Sequence, residues 1–197
     1  VIRGAGPNRV RIQGGRWKGR ALTVPASARP TSGRARAALF DVLGEQVRGA
    51  RVLDLYAGSG AVGLEAVSRG AAGAVLVDAA LDTDALRREL GRWGASETEV
   101  RLLRLPAGRA LERLAAAGER FDLVFADPPY ASDAGNGELA ALRGVVAAGG
   151  VVVVQSDGGS AAPAVPGLVP AEPVARRAYG RNVFHFLGVF DATPRKC

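Results

Sequence analysis

The chain has 197 residues, 48% of them hydrophobic, enough for one domain of ordinary size with a filled core. No apolar run reaches the length of a membrane span. A single cysteine (Cys197) and a single histidine (His185) rule out an internal disulfide and a metal centre built on clustered Cys or His. The net charge of +7 is unevenly spread: eight Arg and Lys18 precede Asp41 with no acid among them, giving +9 and leaving −2 for the rest. A basic block beside a near-neutral body points to a polyanion partner.

The chain starts "VIRGAGPNRVR", which contains no signal-peptide apolar run, and a cytosolic protein is the expectation. "NRVRIQGGRWKGRALTVP" alternates well enough for a β-hairpin, with "GG" and "KG" as turn signals. Its aromatic, Trp17, suits either RNA stacking or hairpin packing. "ARPTSGRARAALFDVLGEQV" predicts a helix preceded by Pro30, capped by Thr31 or Ser32, with Ala38, Leu39, Val42 and Leu43 as its apolar face.

From Arg51 onward, short apolar runs alternate with helical patterns. "RVLDLY", "GAVLVD", "EVRLLRL", "FDLVFAD" and "GGVVVVQS" read as buried parallel strands. Between them, Leu86, Leu90 and Trp93, or Ala110, Leu111 and Leu114, recur at helical spacing. A β-α-β-α succession predicts a doubly wound α/β sheet with right-handed crossovers. "GGSAAPAVPGLVPAEP" reads as a loop. "NVFHFLGVF" reads as a last strand, in a hairpin with one near Val174–Tyr179.

Two strand ends carry chemistry. In "LDLYAGSGAVGLEA", Gly58, Gly60 and Gly63 fit G-x-G-x-x-G between a strand and a helix, a loop whose N–H groups can face a ligand. A dinucleotide would bring a pyrophosphate close to the Asp54 carboxylate. S-adenosylmethionine brings an ammonium and a sulfonium with one carboxylate, and suits that acid better. Asp78, ending the next strand, can accept hydrogen bonds from ribose hydroxyls of either cofactor. In "FADPPY", Asp127 ends the fourth strand. Pro128 and Pro129 stiffen the turn and leave carbonyl acceptors, and Tyr130 offers a stacking face. Two acceptors and a platform suit a planar base bearing an exocyclic NH₂. Held by both its N–H bonds, such a nitrogen is kept pyramidal, with its lone pair aimed at a methyl donor.

The succession "RIQGGRWKGRALTVP", "RPTSGRARAALFDVL", "LDLYAGSGAVGLEAVSRGA", "FDLVFADPPY" and "RRAYGRNVFHFLGVF" resembles the RsmD family of bacterial small-subunit rRNA guanine-N2 methyltransferases over nearly the whole chain. The resemblance implies a Rossmann-like class I methyltransferase with a seven-stranded, mostly parallel sheet. It implies S-adenosylmethionine as cofactor and a guanine of 16S rRNA, free or in the assembling small subunit, as substrate. A monomer without metal or membrane attachment is expected. Residues 1–32 would form a basic RNA-binding extension and 33–197 the methyltransferase domain. On this reading the cofactor meets Thr31, Asp54, the loop Ala57, Gly58, Ser59 and Gly60, then Asp78, Ala79, Ala107 and Asp127. Catalysis falls to Asp127, Pro128, Pro129 and Tyr130, and RNA contacts to Arg11, Arg16, Trp17, Lys18, Arg20, Arg29 and Arg34. Three positions depart from the family pattern: Pro106 stands for a strand-end Asp or Asn, Gly33 for an acid, and Gln155 for a Glu. An N6-adenine methyltransferase, a nicotinamide-dependent oxidoreductase and an RNA-binding assembly protein with weakened or lost methyl transfer are the competing readings.

Overall fold

The computed structural model describes residues 9–24, 31–128, 134–157, 165–171 and 175–189; Arg29, Pro129 and Tyr130 lie outside them. The main sheet runs β5 (Val100–Leu103), β4 (Gly73–Val77), β3 (Arg51–Leu55), β6 (Phe121–Ala126), β7 (Val146–Asp157), β10 (Asn182–Val189). The first five are parallel to their neighbours and β10 is antiparallel to β7. Beyond β10, β8 (Leu168–Pro170) pairs with Leu187–Val189, and β9 (Arg176–Tyr179) with Asn182–His185. The two short strands share one lane, so eight strands fill the seven lanes expected. β8 falls in the stretch read as a loop. Its edge position tolerates Pro170, which no sheet interior would.

Strand residues alternate between two buried layers. Val52, Leu123, Phe125 and Val153 face one layer with Leu39 and Phe40 of α1 (Gly33–Leu43), Leu64 of α2 (Ala61–Ser68), and Leu86, Leu90 and Trp93 of α3 (Thr83–Trp93). Leu53, Val124, Val152 and Val154 face the other with Leu111 and Leu114 of α4 (Ala107–Ala116) and Leu139 of α5 (Ala134–Ala141). Strands apolar on both faces are what a covered parallel sheet requires. After α5, one 3-10 turn leads into β7, which starts at Val146, three residues ahead of the run "GGVVVVQS" read as strand.

The N-terminal hairpin pairs β1 (Arg9–Arg11) with β2 (Ala21–Thr23) in antiparallel register. Its Val10, Ile12, Trp17, Leu22 and Val24 join the same buried layer as α1 and α2. Ser32, rather than Thr31, caps α1, its Oγ accepting from Ala35 N–H at 3.2 Å. The buried face of α1 is Ala35, Arg36, Leu39, Phe40 and Leu43, with Ala38 and Val42 only half-buried. The face turns from the one apolar spacing predicted because Arg36 is fully buried on it. The Arg36 guanidinium bonds Glu65 of α2 at 3.0 Å, the Thr31 carbonyl at 2.9 Å and the Arg11 carbonyl at 2.5 Å. Glu65 also bonds Arg69 at 2.9 Å and the Gln13 N–H at 3.2 Å. This cluster fastens the hairpin to the sheet-covering helices.

Candidate active site

The strand order reverses at β3, between β4 and β6, and the cleft at the carboxyl ends of these strands is where open α/β sheets bind ligands. After β3 the chain passes through Tyr56, the one non-glycine with positive φ among the described residues (φ 60°), into Gly58 and Gly60 at φ 54° and 75°. Ala57 N–H bonds the Val77 carbonyl at 2.9 Å and Gly60 N–H the Ala57 carbonyl at 2.7 Å, closing the loop onto β4. Gly63 lets α2 sit against the sheet. A Cβ there would come 2.2 Å from Leu76 Cδ2 and 3.2 Å from the Asp54 carboxylate. Ser59 is buried and Ala79 exposed.

Three acids gather at this edge. Asp54 aligns with Leu76 of β4 and Phe125 of β6, and is buried on the α2 side, where its Oδ2 accepts the Gly63 N–H at 2.8 Å. Asp78 follows β4 and accepts from Gly58 N–H at 3.0 Å and Ala80 N–H at 2.8 Å. Asp127 follows β6, half-buried, and accepts from Gln155 Nε2 at 3.0 Å. Burial, with the neighbouring Asp127 and Asp78 carboxylates, pushes Asp54 up to about 7 against the opposing Gly63 hydrogen bond. Burial is the larger part of this shift; the part that comes from the Asp127 and Asp78 carboxylates is what a cationic ligand would offset.

Asp54 therefore keeps its proton in the fold up to about 7, whereas in the unfolded chain it sheds it near the ordinary carboxylate value. The folded state holds more protons between the two values, so this contribution to stability declines as pH rises through the window. Asp54→Asn keeps an acceptor for Gly63 and has nothing to ionise. Its thermal midpoint relative to the parent is expected to rise between about pH 5 and about pH 8. A constant difference across that range would contradict the assignment.

Pro106 is the N-cap of α4 and supplies no capping side chain. Glu138, which sequence reasoning missed, reaches over from α5, accepting from Gly108 N–H at 3.1 Å and from the Tyr56 hydroxyl. Burial and this carboxylate raise the Tyr56 hydroxyl above its usual range. Thr31 is buried, its Oγ1 donating to Gln155 Oε1 at 2.9 Å, which brings the start of α1 beside Asp127. Ala107 begins α4, with its side chain buried.

The basic residues divide. Arg11, Lys18, Arg20 and Arg34 are exposed and belong to no ion pair among the described residues. Trp17 is no stacking platform for RNA: its ring is buried against Trp93, centroids 5.5 Å apart, and its backbone N–H donates to Ser68 Oγ at 2.8 Å. Arg16 lies over that ring at 4.4 Å and pairs with Glu99 at 2.5 Å. Glu99 precedes β5 and Ser68 ends α2, so Arg16 and Trp17 sit at the amino edge of the sheet. A strand's length of roughly 15 Å separates them from the site. Aromatic content in a basic hairpin does not reveal which ring the fold buries. His185 is buried in β10 against Ser156 Oγ at 2.9 Å, and desolvation lowers it, marking a structural histidine.

Residues 10–188 match the family model described as Conserved hypothetical protein 95. The ribosomal RNA small subunit methyltransferase D of Escherichia coli K12 is 40% identical over 135 residues, 64% of this chain and 63% of that protein. The chain thus spans about 63% of the length of the curated relative it matches. The solved structure of yhhF from Escherichia coli, described as a putative methyltransferase, superposes with a TM-score of 0.78 at 32% identity, covering 92% of this chain and 98% of that one. A Thermus thermophilus 16S rRNA N2 G1207 methyltransferase, RsmC, solved with AdoMet and guanosine, has a TM-score of 0.65 at 20% identity, over 93% of this chain and 50% of that one. The fold is that of class I methyltransferases.

Proposed function

This chain belongs to the RsmD methyltransferase family, and we propose that it transfers a methyl group from S-adenosylmethionine to the exocyclic N2 amine of a guanine in 16S rRNA. The observation that carries this reading is the convergence of Asp54, Asp78 and Asp127 above the glycine loop, with Asp54 pushed up to about 7. A cation relieves that crowding and a pyrophosphate would worsen it. The residues present fit the methyl donor: Asp54 for its ammonium, Asp78 and Ala79 for its ribose, Thr31 and Ala57 to Gly60 for its polar tail, Ala107 for its adenine. Bound there, S-adenosylmethionine supplies an electrophilic methyl group.

The rest is the chain's own work. The Asp127 carboxylate and the Pro128 carbonyl accept the two N–H bonds of the amine and orient its lone pair. Asp127 is placed to take the proton the amine sheds as the C–N bond forms. Pro129 and Tyr130 complete the platform for a base drawn out of its stack. Arg11, Arg29 and Arg34 hold phosphates, and Lys18 and Arg20, in one turn with Trp17, join Arg16 where the footprint extends to the amino edge. The proposed setting is the cytosol, with a monomer acting on 16S rRNA or the assembling small subunit.

Labelled methyl donor offered with naked 16S rRNA, assembled small subunits or DNA tests this. Labelled N2-methylguanosine is the expected product, whereas N6-methyladenosine would favour the adenine reading. No label in any arm would sink the activity. Neutralising Arg11, Lys18, Arg20 and Arg34 together is expected to flatten the salt dependence of RNA binding, by roughly 0.7–0.9 of log–log slope per lost phosphate contact. An unchanged slope places the footprint elsewhere.

A further inference from the structure

Among the described residues, Gln155 bridges the catalytic edge of the sheet to the start of α1, and the proposed mechanism gives it no role. It stands near the end of β7, is 5% exposed, and has its amide fully engaged. Nε2 donates to Asp127 Oδ2 at 3.0 Å and to Asn182 Oδ1 at 3.3 Å, and Oε1 accepts from Thr31 Oγ1 at 2.9 Å. The chemistry of the partners fixes the amide's orientation. A carboxylate only accepts, so Nε2 must face Asp127; a hydroxyl can donate, so Oε1 faces Thr31. Thr31 is held in turn by its own carbonyl, which receives Arg36 Nη1 at 2.9 Å. Asp127 stands just past β6, and its Oδ2 is held by Gln155 of the neighbouring strand β7.

We infer that Gln155 is a positioning residue for methyl transfer. By binding Oδ2 it turns the Asp127 carboxylate so that Oδ1 faces the incoming amine, and the Thr31 hydroxyl keeps the amide from flipping. The inference rests on Asp127 holding the amine. A flipped amide would set Oε1 against the carboxylate, two acceptors at hydrogen-bond distance, and would turn Asp127 away. A primary amide does this without a proton to lose, so Gln155 adds no pH dependence of its own; that of Asp54, raised to about 7 in part by Asp127, is common to parent and variants. A carboxyl group in its place could donate only while protonated, since two carboxylates this close cannot both be charged.

The test is single-turnover methyl transfer to 16S rRNA across about pH 6 to 9, with calorimetry of S-adenosylmethionine binding. Relative to the parent at each pH, Gln155→Glu is expected to give a rate that falls with rising pH as the pair sheds its shared proton. Gln155→Leu is expected to be slower by ~10–100-fold at every pH, with cofactor affinity within about threefold. Thr31→Val, nearly isosteric, keeps the fold where a buried Glu strains it. It is expected to lower the rate constant several-fold without altering the shape of the profile. A purely structural role would lower the thermal midpoint of these variants and leave the Gln155→Glu profile parallel to the parent. That result, or Gln155→Leu within about twofold of the parent rate, overturns the inference. Asp127→Ala run alongside separates the two levels. If it keeps the parent rate, the reading of the site itself fails; if it is inactive while the Gln155 variants match the parent, only the role of Gln155 fails.

Discussion

Alanine at Asp127 is expected to slow methyl transfer by ~10²-fold or more, the scale of losing orientation at a reacting centre, while S-adenosylmethionine affinity stays within about tenfold. The exocyclic amine of a base is a poor nucleophile because its lone pair is shared with the ring. Without the carboxylate, one N–H has no acceptor and the nitrogen relaxes toward planarity. Cofactor binding survives because Asp54 and Asp78 remain on β3 and β4 with their own backbone partners. Removing Asp127 also takes away one of the charges that raise Asp54, so part of the cleft's pull on a cation is lost, within the tenfold allowed. Asp127→Asn is expected to be nearly as slow. Gln155 Nε2 would hold the new amide by its oxygen, leaving an NH₂ facing the substrate's own NH₂. Single-turnover rates beside titration calorimetry decide the matter, and abolished cofactor binding with normal turnover of the residual complex would reverse the assignment.

Glu65→Gln is expected to cost ~3–5 kcal/mol of stability, the usual penalty for leaving a buried charge unpaired. Arg36 and Glu65 are each 0% exposed at 3.0 Å. With Glu65 neutral, the Arg36 guanidinium loses its counter-charge and keeps neutral acceptors alone, the Thr31 and Arg11 carbonyls and one amide oxygen at position 65. Arg36→Met should cost less in charge, because Glu65 retains Arg69 at 2.9 Å, but it orphans those two carbonyls. The double variant Arg36→Met with Glu65→Leu should recover part of the loss, since an apolar pair can replace a buried ion pair at little cost. Urea unfolding of the four proteins gives the coupling energy. Additive losses would mean that the two side chains act independently despite their contact.

The lesson about legibility follows from these residues. The five parallel strands were readable because both their faces are covered, which leaves runs such as "VLDL" and "LVFA" with nothing to alternate. The glycine loop and the acid after β6 were readable because strand-end chemistry is local in sequence. Arg36 was not readable: it counted as one more unit in a basic block, and only Glu65, twenty-nine residues away, makes it a core residue. Trp17 failed for the same reason, its partner Trp93 lying on α3. Glu138 covers the α4 amino terminus that Pro106 leaves uncapped, a substitution between elements that no spacing rule reveals. β8 was hidden by prolines, which mark loops in general and edge strands only in the context of a neighbour. In each case the unread interaction joins segments far apart in the chain, where local pattern has no purchase.

The lane outside β10 bears on how safely this protein can be made in quantity. A sheet's outer strand is a template on which another chain can add, and long flat edges seed aggregates. Here that lane is broken into three residues, Leu168–Pro170, and four, Arg176–Tyr179. Pro170 has no N–H to offer a newcomer, and Arg176 and Arg177 bring like charges together whenever two such edges meet. At the opposite margin, β5 is only four residues long and carries Arg101. Crowded copies emerging from ribosomes thus meet edges too short to zip together, one of them also basic and the other carrying the Arg101–Glu119 ion pair.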